Sequence, residues 1–491
     1  MPRSKKTATP RSRPGLRGWA GPGGGAQLYL DPPTEWRGTS VQVCGLWPFG
    51  AGSGTPMQGV PLGRDLHSGA TVCCDPISWF TRAGLIHNPS LFVLGQPGLG
   101  KSTLVRRMVL GLSGYGVQPL VFGDLKPDYV DLIRALGGQV ITLGRGRGYL
   151  NVLDPGESSA AAARLTGDAR RSLLAEAHGR RLNAVSALIT ILRTAPPTDR
   201  EETILNTALK VLDARHTDSV PVLGDLVQVI KEGPEAVRTV ALDRGSFDRY
   251  RDITEELESS LTALLGEGRL GGTFAQHTTE PMRMDRPVVF DISSIDDSEE
   301  LLQAAALLVC WGYGFGAVAA AQALTDAGLE PQRHYFLVLD ELWRVLRAGR
   351  GLVDRVDALT RLNRQRGVGM AMITHTMKDL LSLSSEEDKM KAMGFVERSG
   401  MVICGGLPME EMPRLTQVVD LSSVEQRMLT EWSTPPAWAT SDTRDVAPPG
   451  RGNFLIKVGG RPGIPLHVDL TPAELEINNT NRRWHKKQGA A

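Results

Sequence analysis

The sequence predicts an α/β protein with a mostly parallel central sheet, an all-helical insertion and a short N-terminal module. Three observations predict it. An apolar strand, Leu91-Phe-Val-Leu94, runs into the glycine-rich turn Gly95-Gln96-Pro97-Gly98-Leu99-Gly100-Lys101-Ser102-Thr103 and then into helical sequence as far as Leu112. Short apolar runs alternate with helical stretches around it, the pattern of βα units. A second apolar run, Phe336-Leu-Val-Leu339, ends in the acidic pair Asp340-Glu341, as a buried strand does when it delivers carboxylates to its C-terminal edge.

The turn satisfies G-x-x-x-x-G-K-[ST] with Gly95, Gly100, Lys101 and Ser102. In a chain with 55 glycines among 491 residues, the glycine pair alone recurs by chance roughly six times. Requiring Lys and then Ser or Thr reduces that to about two in a hundred, so the motif is specific. Without Cβ atoms at Gly95, Gly98 and Gly100 the backbone can curl its N–H groups inward at a helix N-terminus, a concave anion site. Gly95 to Thr103 is therefore the candidate phosphate cradle. Lys101 is the candidate for the β- and γ-phosphates and the Ser102 hydroxyl for Mg²⁺.

Taken in order, residues 1–26 are rich in Arg, Lys, Pro and Gly without an apolar stretch, and read as a disordered basic tail rather than a secretory signal. Residues 27–90 break short apolar runs with Gly and Pro turns, as in Gly59-Val-Pro-Leu-Gly63, and predict a small entry module. After the first helix, Pro119 to Asp124 predicts a strand, Tyr129 to Leu136 a helix and Gln139 to Leu143 a further strand. The pattern then changes. From Ser158 to about Leu265, Ala, Leu, Arg and Glu recur at helical spacing, broken by Pro196-Pro197, Pro221 and Gly233-Pro234, which predicts an all-helical insertion over 158–282. Strands resume at Pro287 to Asp291, His334 to Asp340, Gly369 to Thr374, Ser399 to Cys404 and Asn453 to Val458. The core is expected over 91–157 and 283–470, followed by a basic C-terminal tail over 471–491.

Residues 304–321 are apolar enough to suggest a membrane span. They are alanine-rich, carry Gly312, Gly314 and Gly316 in the middle, and follow Asp296, Asp297, Glu299 and Glu300, so a buried core helix is the expectation. Hydrophobic residues make up 41% of the chain and charged ones 22%, a soluble globular composition. Lys plus Arg (55) nearly balance Asp plus Glu (54), so a nucleic-acid surface has to be local. Five cysteines without C-x-x-C spacing, Cys44, Cys73, Cys74, Cys310 and Cys404, disfavour a disulfide framework or a zinc site and fit a reducing cytoplasm.

The acidic pair divides its work by position. Asp340 is the candidate for the Mg²⁺ shell and Glu341 the candidate that orients or deprotonates an attacking water. Downstream, Arg361, Arg364 and Arg366 lead into a strand ending at Thr374-His375. A polar residue there can sense a γ-phosphate, although a solvated helix face for the arginines and a loop position for His375 explain them equally well.

The order of these motifs resembles the HerA/FtsK superfamily of RecA-like P-loop motors, specifically the conjugation and type IV secretion ATPases. The resemblance covers most of residues 85–470. It rests on Gly95 to Thr103, Asp124-Leu-Lys-Pro-Asp-Tyr129, Ala135-Leu-Gly-Gly138, Leu150-Asn-Val-Leu-Asp-Pro155, Asp340-Glu-Leu-Trp343, Arg364-Gln-Arg-Gly367 and Ile373-Thr-His-Thr-Met-Lys-Asp-Leu380. It implies an ATPase that uses ATP and Mg²⁺, with Lys101 and Ser102 on phosphate and cation and Asp340 and Glu341 as the acids. Arg364 aligns with an arginine before the sensor strand that can act across a subunit boundary in such motors, and the resemblance implies a homo-hexamer. His375 stands where the family usually has Gln; neutral imidazole keeps one donor and one acceptor and can still orient water. Only about ninety residues precede the phosphate loop, so docking on a membrane complex is expected to come from a separate chain, with the protein cytoplasmic or peripheral at the inner membrane face.

Three functions follow as expectations. The first is a motor of conjugative DNA transfer or of a type IV secretion channel; the second is a cytosolic double-stranded DNA translocase or helicase. The third is a nucleotide-controlled assembly scaffold, against which Glu341 argues, because a pure switch does not need that acid. The basic ends, including Asn481-Arg-Arg-Trp-His-Lys-Lys487, are candidates for DNA phosphates or anionic lipid.

Overall fold

Among the described residues eleven strands form one sheet. They are β1 (Pro61–Asp65), β2 (Thr71–Cys73), β3 (Ser90–Leu94), β4 (Gln118–Asp124), β5 (Gln139–Thr142), β6 (Val288–Asp291), β7 (Tyr335–Leu339), β8 (Val368–Ile373), β9 (Met401–Cys404), β10 (Asn453–Lys457) and β11 (Ile464–Val468). The computed structural model describes residues 55–266, 268, 270, 272–349, 352–360, 367–383, 385–435 and 448–477. Cys44, the N-terminal basic tail, Arg361, Arg364, Arg366 and the basic segment 481–487 lie outside them.

Across the sheet the order is β2-β1-β11-β10-β9-β3-β8-β7-β4-β6-β5. From β9 to β5 all neighbours are parallel; β10, β11, β1 and β2 add an antiparallel edge. Strands β3, β7 and β8 are buried along their whole length, which is why they read as unbroken apolar runs rather than as alternation. Crossover connections let strands distant in sequence become neighbours. Strand β8 lies between β3 and β7, with Val93 opposite Ile373 and Leu339 opposite Met372.

The described part of the entry segment is built into the sheet, since β1 pairs with β11. These short strands gave weak sequence signals: β1, Pro-Leu-Gly-Arg-Asp, buries only Leu62 fully, and β11 carries a proline.

In chain order the helices are α1 (Pro76–Thr81), α2 (Lys101–Gly114), α3 (Val130–Ala135), α4 (Glu157–Arg164), α5 (Gly167–Arg193), α6 (Asp199–Arg215), α7 (Leu223–Glu232), α8 (Glu235–Ala241), α9 (Phe247–Leu265), α10 (Glu300–Asp326), α11 (Leu342–Arg347), α12 (Leu352–Thr360), α13 (Met377–Leu381), α14 (Glu386–Glu397), α15 (Met412–Leu415), α16 (Ser423–Trp432) and α17 (Pro472–Ile477). Helices α4 to α9 fill the connection between β5 and β6. Local signals start them: Thr198 and Glu201 form a reciprocal capping box on α6, which satisfies N–H groups that the first turn cannot. Arg181 of α5 grips Asp213 of α6 with two bonds of 2.7 Å.

Each sheet face has its own core. Leu91, Val93, Phe336, Val338 and Ile373 pack with Leu104, Val105, Met108 and Val109 of α2. The opposite face, with Phe92, Leu94, Phe122, Leu337 and Met372, meets α10 and the inserted helices. Helix α10 is long and apolar enough to cross a membrane, and 89% of its most apolar window is buried inside the protein. Its glycines have a packing cause. A Cβ on Gly314 would lie 2.1 Å from Cζ of Phe122, whose ring stands edge-on to Phe290 and Phe315 at 6.1 and 5.9 Å.

Candidate active site

The phosphate loop follows β3 and is held from three sides. Gly95 N–H donates to the His375 carbonyl at the end of β8, Gln96 N–H to the Gly406 carbonyl, and Gly452 N–H to the Leu99 carbonyl. Gly95, Gly98 and Gly100 have φ of 155°, 82° and 99°, left-handed backbone that favours glycine. Helix α2 begins at Lys101 with Gly100 as its cap, so the N–H groups of its first turn have no intrahelical acceptor.

Lys101 is buried, and its ammonium turns back on the loop, 2.6 Å from the Gly95 carbonyl and 3.2 Å from that of Gln96. Burial pulls its pKa down to about 8, against the attraction of Asp340 and Glu341, while Lys126 repels it. That electrostatic coupling brings the two distant motifs into one site. The topology explains it: β3 and β7 flank β8, so the phosphate loop, His375 and the acidic pair emerge at one sheet edge.

Asp340 accepts the N–H of Glu341 at 2.8 Å; burial, reinforced by the Glu341 charge, pushes its carboxyl up to about 7. Glu341 is also buried and sits at φ 52°, a left-handed conformation that is uncommon outside glycine and occurs at functional sites. Its Oε1 accepts from Lys126 Nζ at 3.0 Å, its Oε2 from Trp343 Nε1 at 2.6 Å, and His375 Nε2 lies 3.5 Å from Oε2. Burial raises the Glu341 pKa, but the His375 contact and the Lys126 charge outweigh it and hold the carboxyl well below the usual range.

The loop after β4 contributes residues to which the sequence assigned no role. Burial raises the Asp128 pKa, against the pull of the nearby Ser102 hydroxyl and of the Arg106 and Lys126 charges. Asp124 is buried and receives the N–H groups of Asp128, Tyr129 and Val130, which shapes the turn that carries Lys126. Lys126, Asp128 and Trp343 all lie in the stretches that carried the family resemblance, but their types alone name no partner. Arg364 lies outside the described residues.

A triphosphate with a divalent cation fits this chemistry. A glycine cradle faces a helix N-terminus, Ser102 offers a hydroxyl, and Asp340 is a half-buried carboxyl pushed up by desolvation and by its acidic neighbour, where a cation would supply the missing positive charge. Among the described residues no cluster of three or more His, Cys, Asp or Glu could hold a metal by itself. A phosphate-loop cation needs only one or two protein oxygens beside the phosphates. Side-chain atoms buried without a hydrogen-bond partner include Tyr129 Oη, Thr374 Oγ1 and His375 Nδ1, all near this edge. The cysteines Cys73, Cys74, Cys310 and Cys404 are buried and free.

No protein-family model and no curated protein matches the chain. Solved structures do. VirB4 of Thermoanaerobacter pseudethanolicus superposes with a TM-score of 0.60 at 18% identity, covering 86% of this chain and 100% of that one. The plasmid coupling protein TrwB, in complex with the non-hydrolysable ATP analogue ADPNP, gives 0.50 at 13% identity over 79% and 87% of the two chains. The chain has the RecA-like fold of VirB4 and TrwB. At such identities the likeness is one of fold, and within this RecA-like core the chemistry rests on the chain's own residues at the β3, β7 and β8 edge.

Proposed function

We propose that this chain is an ATP-hydrolysing motor of the HerA/FtsK superfamily, working in conjugative DNA transfer or a type IV secretion apparatus. One observation carries the reading: Gly95 N–H of the loop bonds the His375 carbonyl while the His375 imidazole lies 3.5 Å from Glu341, so the loop and the acidic pair meet although they are far apart in sequence. The fold shared with TrwB, solved with an ATP analogue, supports it.

In this reading Gly95, Gln96, Pro97, Gly98, Leu99, Gly100, Lys101, Ser102 and Thr103 hold ATP. Lys101 leaves its loop carbonyls for the β- and γ-phosphates, and the first-turn N–H groups of α2 bind phosphate oxygens. Ser102 and Asp340 would hold Mg²⁺, with Asp128 orienting Ser102; the cation would supply positive charge against the charge that develops on the phosphates during transfer. Glu341 orients the attacking water and takes its proton. Trp343 and His375 fix the Glu341 carboxylate, which gives His375 a positioning role where the family has Gln. Arg364 completes a neighbour's site in a homo-hexamer. The motor is cytoplasmic and reaches the membrane through the secretion complex.

The test is ATP hydrolysis by the purified protein, by Lys101→Ala and by Glu341→Gln, with and without duplex DNA, together with mass in solution with nucleotide. Turnover by wild type and its loss in both variants is expected. Normal hydrolysis in both rejects the site. Hydrolysis strongly stimulated by duplex DNA and steeply weakened by salt identifies a double-stranded DNA translocase instead.

A further inference from the structure

The Glu341 carboxylate has two oxygens, and the structure treats them differently. Oε2 is fixed by Trp343 Nε1 at 2.6 Å, with His375 Nε2 at 3.5 Å. Oε1 is covered by Lys126 Nζ at 3.0 Å. The holders also differ in freedom. Trp343 and His375 come from segments continuous with β7 and β8, whereas Lys126 sits on the loop after β4 with its side chain 55% exposed against 8% for Glu341. A carboxylate takes a proton from water more readily when no cation pairs with the accepting oxygen, because the nearby positive charge lowers its basicity, and among these donors Lys126 is the one that can withdraw along a flexible stem.

We propose that Lys126 reads the terminal phosphate: when a triphosphate occupies the loop, its ammonium exchanges Glu341 Oε1 for a γ-phosphate oxygen and thereby uncovers the base. The inference rests on the reading of the loop as an ATP site and adds the residue that distinguishes triphosphate from diphosphate. Lys126 contacts Glu341 directly, and Lys101 sits on the loop whose Gly95 N–H bonds the carbonyl of His375, the residue that reaches Glu341 from the other side, so both ammoniums border one space. With Lys101 drawn to the β- and γ-phosphates, a phosphate chain starting at the helix N-terminus ends beside Glu341, within the sweep of Lys126. A diphosphate ends short and leaves the Lys126–Glu341 pair closed. The exchange conserves charge pairing, because one anionic oxygen replaces another on the same ammonium.

The test is equilibrium binding of fluorescent ADP and of a fluorescent non-hydrolysable ATP analogue. Replacing Lys126 by Met should weaken the triphosphate analogue by about tenfold or more, as for the loss of one charge-assisted bond, and leave ADP within about twofold. Lys126→Arg should keep most of the preference. Glu341→Gln, which removes the competing anion, should tighten the analogue, and that gain should vanish when Lys126→Met is added. The double variant also keeps the test informative if Lys126→Met alone is unstable with Glu341 unpaired. Equal losses for both nucleotides, or an unchanged ratio, overturn the inference. If Lys101→Ala still binds both nucleotides like wild type, the ATP-site reading fails; if Lys101→Ala loses them while Lys126→Met keeps the normal ratio, only the exchange fails.

Discussion

The ammonium of Lys101 lies 2.6 Å from the carbonyl oxygen of Gly95, six residues earlier in its own loop. The contact satisfies a buried cation with neutral oxygens, which are weaker partners than phosphate. Nucleotide therefore competes with neutral loop carbonyls and with the attraction of Asp340 and Glu341. Lys101→Ala should lower ATP hydrolysis by at least ~10²-fold, the scale for removing one preorganised electrostatic donor. It should leave far-ultraviolet circular dichroism and the melting temperature close to wild type, because the hydrogen bonds lost go to two carbonyls of the lysine's own loop. A collapse of the melting temperature with the activity would reassign Lys101 to the fold.

Glu341→Gln separates binding from chemistry. The amide keeps the shape but cannot take a proton, so turnover should fall by about 10²- to 10⁴-fold. Nucleotide binding should survive, as fluorescence titration of the two proteins would show. Unchanged turnover would remove Glu341 from the reaction.

The approach of Phe122 to Gly314 gives a test of the core. Phe122→Ala should cost about 3–5 kcal/mol, as for large-to-small changes at a fully buried aromatic. Gly314→Ala should also destabilise, since its Cβ would lie inside the Phe122 ring contact. The pair should be less harmful together than the sum of the two, because the small side chain at 122 makes room at 314. Urea midpoints of the two single variants and the double variant measure this coupling.

Acid stability should report on the clasp between α5 and α6. Burial raises the Asp213 pKa, but the His178 ring 3.6 Å away and the two hydrogen bonds from Arg181 outweigh it and hold the carboxyl at about 2, below its ordinary 3.8. A depressed acid contributes stability above its unfolded pKa and loses it as pH falls through the folded one. The contribution should thus be present at pH 5 and fade from about pH 4 to about pH 2. Asp213→Asn should be less stable than wild type at neutral pH and converge with it in acid, which denaturant titrations across that range would reveal. Equal differences at every pH would contradict this account.

Local signals made much of this protein legible from its residues. Leu91 to Thr103 names a strand, a glycine-rich turn and a helix start because glycine spacing, burial and a terminal lysine act over a few residues. Phe336 to Glu341 names a strand end with two acids for the same reason, and the proline breaks after Ser158 mark separate helices. What tertiary structure decided is who meets whom. Strand β8 enters between β3 and β7, so His375 reaches Glu341, and the β4 loop bends Lys126 onto a carboxylate 215 positions away. The same holds for Gly314, whose missing side chain makes sense only once Phe122 is packed on it. Propensity and spacing act along the chain, whereas pairing of charges and filling of space depend on separations that only crossover connections and a closed core establish.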